Sequence, residues 1–207
     1  MGYVTITAGF NASGEEAKLL LSTAWLFKIA TYRVLSLAKS MSLLPASKIA
    51  WKNTFREVAY GVIPNRRYAD SAVVLVMSVY ESCRELGVDF KGVELGDWLM
   101  FQQSEAEYPP RNITLRGVDE AWVAVFGYDG ESRRIKLRIS TSGVYRRLLE
   151  AILRERQEYN PRVYIRSWNV RNGELYVNGE LQIAIPLDFY YKHTTRFKTN
   201  NGRLYAG

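Results

Sequence analysis

Three cations, Arg134, Lys136 and Arg138, alternate with aliphatic residues in a short stretch of this chain. Alternation of this kind predicts a β-strand in which the cations face solvent, while Ile135 and Leu137 face a core. Residues two apart on a strand are separated by roughly 6.5 to 7 Å. This spacing suits side chains that contact successive phosphates of one nucleic acid strand.

A second stretch combines cations with aromatic rings. Arg162, Tyr164, Arg166 and Trp168 alternate with other residues, two of them aliphatic, and the pattern again predicts a strand whose polar face carries all four. Exposed rings between cations are typical of a surface that stacks on bases. A shift of register by one residue would instead turn both rings into the core.

Positive charge is concentrated between Arg133 and Arg171. This window holds eleven lysines and arginines and three glutamates, a local charge of +8, whereas the whole chain of 207 residues carries +7. The basic character is therefore regional, which favours a surface that contacts phosphate. The predicted nucleic-acid-binding residues are Arg133, Arg134, Lys136, Arg138, Arg147, Arg162, Tyr164, Arg166, Trp168 and Arg171.

The arginines of a predicted helix in this window have a second interpretation. Glu150 lies four residues after Arg146 and four residues before Arg154. This spacing also fits a ladder of ion pairs on a solvated helix face. For the helix, both interpretations stay open.

The sequence offers few groups for catalysis. His193 is the single histidine and Cys83 the single cysteine, so neither a tetrahedral zinc site nor a Ser-His-Asp triad is predicted. No catalytic residue, metal ligand or cofactor is expected. A two-metal nuclease site would need acids from distant positions to converge, and their spacing defines no common face. These acids are Glu94, Asp97, Glu105, Glu107, Asp119 and Glu120.

The composition is that of a globular protein, with 47% hydrophobic and 24% charged residues. No apolar run is long enough for a membrane span, and residues 1–10 lack the pattern of a signal peptide. We therefore expect a cytoplasmic protein with no membrane partner.

The first half of the chain predicts one short strand, Tyr3 to Ala8, and a block of helices. Ser13 and Glu16 form a capping-box pattern that starts a long helix. Pro45 and Pro64 fit the first turn of two further helices. The predicted helices run from Ser13 to Met41, from Pro45 to Tyr60 and from Pro64 to Leu86, with Gly61 and Gly87 as stops.

After Pro109 and Pro110 the pattern changes to short β-type segments. A helix from about Ser142 to Arg156 interrupts them. Asn172-Gly173 and Asn178-Gly179 each predict a tight hairpin turn. The predicted strands are Asn112–Leu115, Ala121–Phe126, Ile135–Ile139, Val163–Trp168, Glu174–Val177 and Glu180–Ile185.

These elements predict an α+β fold in which a β-barrel-like antiparallel sheet holds an inserted helical block. Residues 1–10 and 98–187 form the predicted barrel-like, nucleic-acid-binding domain. Residues 11–97 form the helical block. Residues 188–207 are predicted to be a linker or the truncated start of a missing nuclease domain.

This order of parts resembles the N-terminal half of archaeal TnpB-type transposon proteins, which are relatives of type V CRISPR effectors. The resemblance is carried by Ser13-Gly14-Glu15-Glu16, by the hairpin from Asn172 to Val177 and by the terminal Leu204-Tyr205-Ala206-Gly207. It implies a wedge-like barrel with a helical insertion that grips a guide RNA and its target duplex. Gly207 would be the glycine before the first nuclease carboxylate, and the family's RuvC triad and four-cysteine zinc ribbon are not in this chain.

The expected function is therefore binding of structured RNA or an RNA–DNA duplex, with nuclease activity supplied, if at all, by a separate chain. Two alternatives stay open. One is a small metal-dependent nuclease or transposase that uses the acids between Glu94 and Glu120 together with Asp188. The other is a protein-interaction subunit of a mobile element or virus, with the helical block as its docking surface.

Overall fold

A computed structural model describes residues 2–194, which form seven strands and five α-helices. A single 3-10 turn at Phe90–Gly92 follows the helical block. The elements in chain order are β1 (Tyr3–Ser13), α1 (Gly14–Ser40), α2 (Lys48–Tyr60), α3 (Arg66–Leu86), β2 (Leu99–Gln102), β3 (Ile113–Leu115), β4 (Glu120–Phe126), β5 (Ser132–Arg138), α4 (Gly143–Glu155), β6 (Asn160–Arg171), β7 (Glu174–Pro186) and α5 (Leu187–Thr194).

The strands form two antiparallel sheets, so the predicted α+β class is confirmed. One sheet has the order β1-β7-β6-β2 and the other the order β3-β4-β5. They meet where Gly9 and Ser140 exchange two backbone hydrogen bonds of 3.0 and 2.9 Å. The sheets are open, so the barrel-like arrangement is not a closed barrel.

One hydrophobic core runs through the sheets and the helical block. Two buried hydroxyls fix the helices to β4. Ser22 of α1 donates to the carbonyl of Phe126 at 2.8 Å, and Tyr68 of α3 donates to the carbonyl of Ala124 at 2.7 Å. Because both acceptors lie near the end of β4, the helices hold that strand and, through it, β5.

Two of the three predicted helix starts are wrong. Residues Ser47 and Asn65 cap α2 and α3, and each side chain accepts a backbone N–H of the first turn. Pro45 and Pro64 therefore precede the helices instead of opening them. Ser13 does stand at the start of α1, but its side chain makes no capping hydrogen bond.

The two Asn-Gly pairs have different roles. Asn172 and Gly173 both have positive φ, +52° and +76°, and form the turn between β6 and β7 as predicted. Asn178-Gly179, in contrast, lies inside the continuous strand β7. A Cβ at Gly179 would clash with the backbone oxygen of Tyr164 and would approach Cζ of Phe10 to 2.6 Å. This glycine therefore permits close packing.

A β-bulge divides β6. Ile165 pairs with Gly179 and Ser167 pairs with Asn178, so Arg166 is an extra residue on β6. Beyond the bulge, Trp168 lies opposite Val177, whose side chain is fully buried. Directly opposed residues share a face of a sheet, so Trp168 is on the core-facing side, although it extends beyond the core and is 49% exposed.

The sequence predicts a linker or the truncated start of a nuclease domain from residue 188, and residues 188–194 belong to helix α5. Helix α5 packs on α4, Phe189 is buried, and the Lys192 ammonium lies 2.6 Å from the Glu155 carboxylate. The remainder of the predicted linker, with the Leu204–Gly207 motif, lies outside the described residues. Within residues 2–194, none of the helices combines the length and the apolar character of a membrane span.

Candidate nucleic-acid interface

The outer face of β5 carries the cations that the sequence predicts there. Arg134, Lys136 and Arg138 are exposed, while Ile135 and Leu137 are buried. The predicted alternation is confirmed. Strand β5 is an outer strand of the three-stranded sheet, and all three cations of this row are exposed to solvent.

Neighbouring acids neutralise part of this row. The Lys136 ammonium lies 3.2 Å from the Glu120 carboxylate, and Arg133 lies 3.1 Å from Glu131. Arg138 and Arg147 are exposed and form no ion pair among residues 2–194. A phosphate would therefore compete less with protein acids at these two positions than at Lys136 or Arg133.

The cations of β6 are placed on the other sheet. Arg162 and Tyr164 are half-buried, and Nη1 of Arg162 lies 3.7 Å from Sδ of Met100. Burial lowers the pKa of Arg162 from its ordinary value. Arg166 forms an ion pair with Glu180. One ion pair and partial burial thus reduce the positive charge that this face presents to a phosphate.

The four β6 residues do not share one face as predicted, because the bulge at Arg166 moves Trp168 to the side opposite Tyr164. At the tip of the hairpin, the Arg171 guanidinium lies 4.7 Å from the ring centroid of Tyr176. Strand β6 belongs to the four-stranded sheet and β5 to the three-stranded sheet. The two sheets meet at Gly9 of β1, and β7 lies between β1 and β6. The two predicted basic strands therefore lie on separate sheets, and a nucleic acid role for the β6 residues stays a prediction.

The structure assembles a basic site that the sequence does not delimit. An open groove of about 640 Å³ lies between β3, the end of α4, the segment before β3 and Arg134 of β5. Its lining contains five arginines and no acid. We call this site the arginine groove, and its arginines are Arg111, Arg116, Arg134, Arg154 and Arg156.

The arginines of the groove are held without carboxylates. Nη2 of Arg134 donates to the backbone carbonyl of Arg111 at 2.5 Å, and the Arg156 guanidinium lies over the Tyr108 ring. None of the five arginines forms an ion pair with an acid among residues 2–194. Their positive charge is therefore available to an anion.

A buried tyrosine supports Leu115, one of the residues that line the groove. The Tyr159 hydroxyl accepts the backbone N–H of Leu115 at 2.8 Å, and burial raises the pKa of Tyr159 well above its ordinary value. At the next residue, the Arg116 guanidinium lies 5.9 Å from the ring centroid of Trp122. These contacts hold Leu115 and Arg116 of the groove lining against neutral side chains.

Sequence distance explains why the groove is not predicted. Arg111 and Arg116 precede the basic window, which begins at Arg133. Arg154 has the spacing of an ion-pair ladder, but only Arg146 approaches Glu150, at 3.8 Å. The one feature of the sequence that indicates this site is the excess of arginines in the predicted helix from Ser142 to Arg156. That excess does not show toward which surface the arginine side chains extend.

The acids between Glu94 and Glu120 do not converge. Among residues 2–194, no group of three metal-ligating side chains is close enough to hold a metal ion. Glu107 pairs with Arg67, at 2.5 and 3.0 Å, and Glu105 pairs with Lys52 at 2.8 Å. These cations lower the pKa values of both carboxyls.

The fold and the groove define an α+β domain with two open antiparallel sheets and an arginine-lined surface site. The chain belongs to the family described as SSO2105 N-terminal domain, which matches residues 3–195. Two proteins of Aeropyrum pernix, each described as an uncharacterized protein, are 55% identical to the whole chain. The chain spans 50% and 56% of their lengths, so it covers about half of these curated relatives.

Proposed function

We propose that this domain binds nucleic acid through its phosphate backbone, with the arginine groove at the centre of the contact surface. The observation that carries the proposal is the presence of five guanidinium groups and no carboxylate in one groove. Guanidinium groups bind phosphate with two parallel hydrogen bonds, which makes arginine the usual residue at such sites.

Electrostatic repulsion supports an anionic ligand. Like charges that gather without counter-charges destabilise the folded state, and a bound anion removes this cost. A polyanion is favoured over a small anion because the basic surface continues beyond the groove, along Lys136 and Arg138 of β5. The shared residue is Arg134, which belongs to both the groove and the strand.

The ligand that we propose is structured RNA or an RNA–DNA duplex, as the resemblance to TnpB-type proteins implies. The proposed location is the cytoplasm. In this proposal the domain grips the nucleic acid and does not cut it, and any nuclease belongs to a part of the protein, or to a partner, outside this chain.

The test is fluorescence anisotropy with a labelled RNA stem-loop at low salt. A triple variant, Arg111→Gln, Arg134→Gln and Arg154→Gln, is expected to lower affinity at least roughly a hundredfold, because each lost phosphate contact to a charged group removes about 1.5 to 3 kcal/mol. A triple variant of equal charge, Arg33→Gln, Lys48→Gln and Lys91→Gln, changes exposed cations of the helical segment and its following turn. Equal affinities of the two variants would contradict the proposal.

A further inference from the structure

The arginine groove has an apolar wall that phosphate binding alone does not require. Tyr108, Pro109, Pro110, Leu115 and Leu153 line the groove beside the arginines. Phosphates of a paired duplex are bound by charged and polar groups, and an aliphatic surface offers them no hydrogen bond. The wall therefore indicates a ligand with an apolar part next to its phosphate.

The size of the groove is also that of a small-molecule site. Its volume of about 640 Å³ lies within the range of roughly 300 to 1,000 Å³ found for ligand pockets. A single phosphate would leave most of this volume empty. In a paired helix the bases are stacked inside, so only an unpaired nucleotide could place its sugar and base in a concave site.

Two planar cationic groups extend the surface on which a base could stack. The Arg156 guanidinium covers the Tyr108 ring at 5.6 Å, and the Arg116 guanidinium covers the Trp122 ring at 5.9 Å. Unpaired bases stack on both aromatic rings and arginine planes. The groove thus provides phosphate ligands and stacking surfaces within one site.

We propose that the groove seats one unpaired nucleotide, with its phosphate on Arg111, Arg134 and Arg154 and its sugar and base against Tyr108 and Leu153. This inference rests on the proposed function and narrows it, because it places the contact at a loop, bulge or end of the nucleic acid. The same chemistry, a phosphate joined to a sugar and base, is also present in a free nucleotide. The experiment separates these two sources.

Anisotropy of the whole chain is measured with a blunt RNA duplex and with the same duplex extended by a short single-stranded overhang. The overhang is expected to increase affinity roughly tenfold, the size of one base-stacking contact. AMP is expected to displace the overhang probe at a concentration about ten times lower than inorganic phosphate does. Leu153→Ser is expected to lower affinity for the overhang probe roughly fivefold, and so to reduce the ratio of overhang affinity to blunt-duplex affinity.

The matched control is Leu37→Ser, which replaces a 40% exposed leucine within α1 by the same residue. Melting temperatures of both variants show whether the fold is retained. Equal affinity for the two probes, together with no effect of Leu153→Ser, would overturn the inference. The proposed function would then still stand if the arginine triple variant weakened both probes.

Two other outcomes are decisive. Binding of AMP without binding of either RNA probe would support a nucleotide site and would overturn the proposed nucleic acid function, so the ligand would be a free nucleotide. No binding of AMP and no binding of RNA would overturn both proposals.

Discussion

The guanidinium carbon of Arg156 lies 5.6 Å from the ring centroid of Tyr108, while the backbone of Arg156 has a φ of +56°. This residue follows the last residue of α4, a position at which helices usually have glycine. An arginine in the left-handed region costs about 1 kcal/mol or more. A side chain that is kept there at such a cost is a candidate for a role in binding.

Replacement of this arginine separates stability from binding. In Arg156→Gly, relief of backbone strain offsets the loss of a cation–π contact of about 0.5 to 1 kcal/mol, so the free energy of unfolding should change by less than about 1 kcal/mol. Nucleic acid affinity should fall roughly tenfold, because one charged contact is lost. Urea unfolding and anisotropy measure the two quantities.

Arg156→Ala is the control, since it removes the same charge and retains the strained backbone. It should match Arg156→Gly in affinity and be less stable by about 1 kcal/mol. If both variants bind RNA like the wild type, Arg156 is not part of the site.

The close packing at Gly179 predicts a large effect of a single methyl group. In Gly179→Ala, the new Cβ would overlap the backbone oxygen of Tyr164 and the ring of Phe10, so the free energy of unfolding should fall by about 1 to 3 kcal/mol. Gly117→Ala is the control, because a Cβ at Gly117 meets no atom within 4 Å and φ is ordinary. Equal stability of the two variants in urea unfolding would refute the assignment of Asn178-Gly179 to the interior of β7.

The bulge in β6 predicts that Trp168 contributes little to stability. Since Trp168 is 49% exposed, Trp168→Ala should lower the free energy of unfolding by less than about 1 kcal/mol. Trp51→Ala, at a tryptophan that is only 2% exposed, should cost about 3 to 5 kcal/mol. A comparable loss for Trp168→Ala would mean that its ring belongs to the core after all.

The ion pair between Arg67 and Glu107 predicts a defined pH dependence. Arg67 holds the pKa of Glu107 below its ordinary value of 4.5, so the pair stabilises the fold above that value, and its contribution is lost as the pH falls through the lowered pKa. At pH 7, Glu107→Gln should reduce the free energy of unfolding by about 1 kcal/mol. The difference from the wild type should disappear in acid.

Urea unfolding at neutral and acid pH measures this difference. Glu94→Gln is the control, because Glu94 is exposed and forms no ion pair among residues 2–194. It should have no effect at either pH. A Glu107→Gln penalty that persists unchanged in acid would show that the carboxylate charge is not its cause.

Local patterns predicted the elements whose structure depends on local chemistry. The alternation of cations and aliphatic residues predicts strand β5 and the exposed face on which Lys136 lies. The Asn172-Gly173 pair predicts the hairpin turn because both residues tolerate the positive φ that the turn requires. The same dipeptide at Asn178-Gly179 wrongly predicts a second turn, because Gly179 is needed there for close contact with another strand. A tertiary contact of that kind leaves no mark in the local sequence.

The candidate site was predicted only in part, for a related reason. Arg134 was identified from its strand, but Arg111 and Arg156 reach the same groove from segments that are distant along the chain. Net charge per window detects a basic region and cannot show which side chains converge. The face of the sheet on which Trp168 lies likewise depends on one extra residue, Arg166. The bulge at Arg166 reverses the alternation of faces along β6, and the sequence does not indicate that bulge.

The central claim, that the arginine groove contacts phosphate, is tested most directly by the salt dependence of RNA binding. If about five phosphates are neutralised, the slope of log K against log salt should be about −3.5 to −4.5 for the wild type. The triple variant Arg111→Gln, Arg134→Gln and Arg154→Gln should reduce its magnitude by about two to three units, and the helical-segment control should leave it unchanged. A slope that is the same in the groove variant and the wild type would contradict the account.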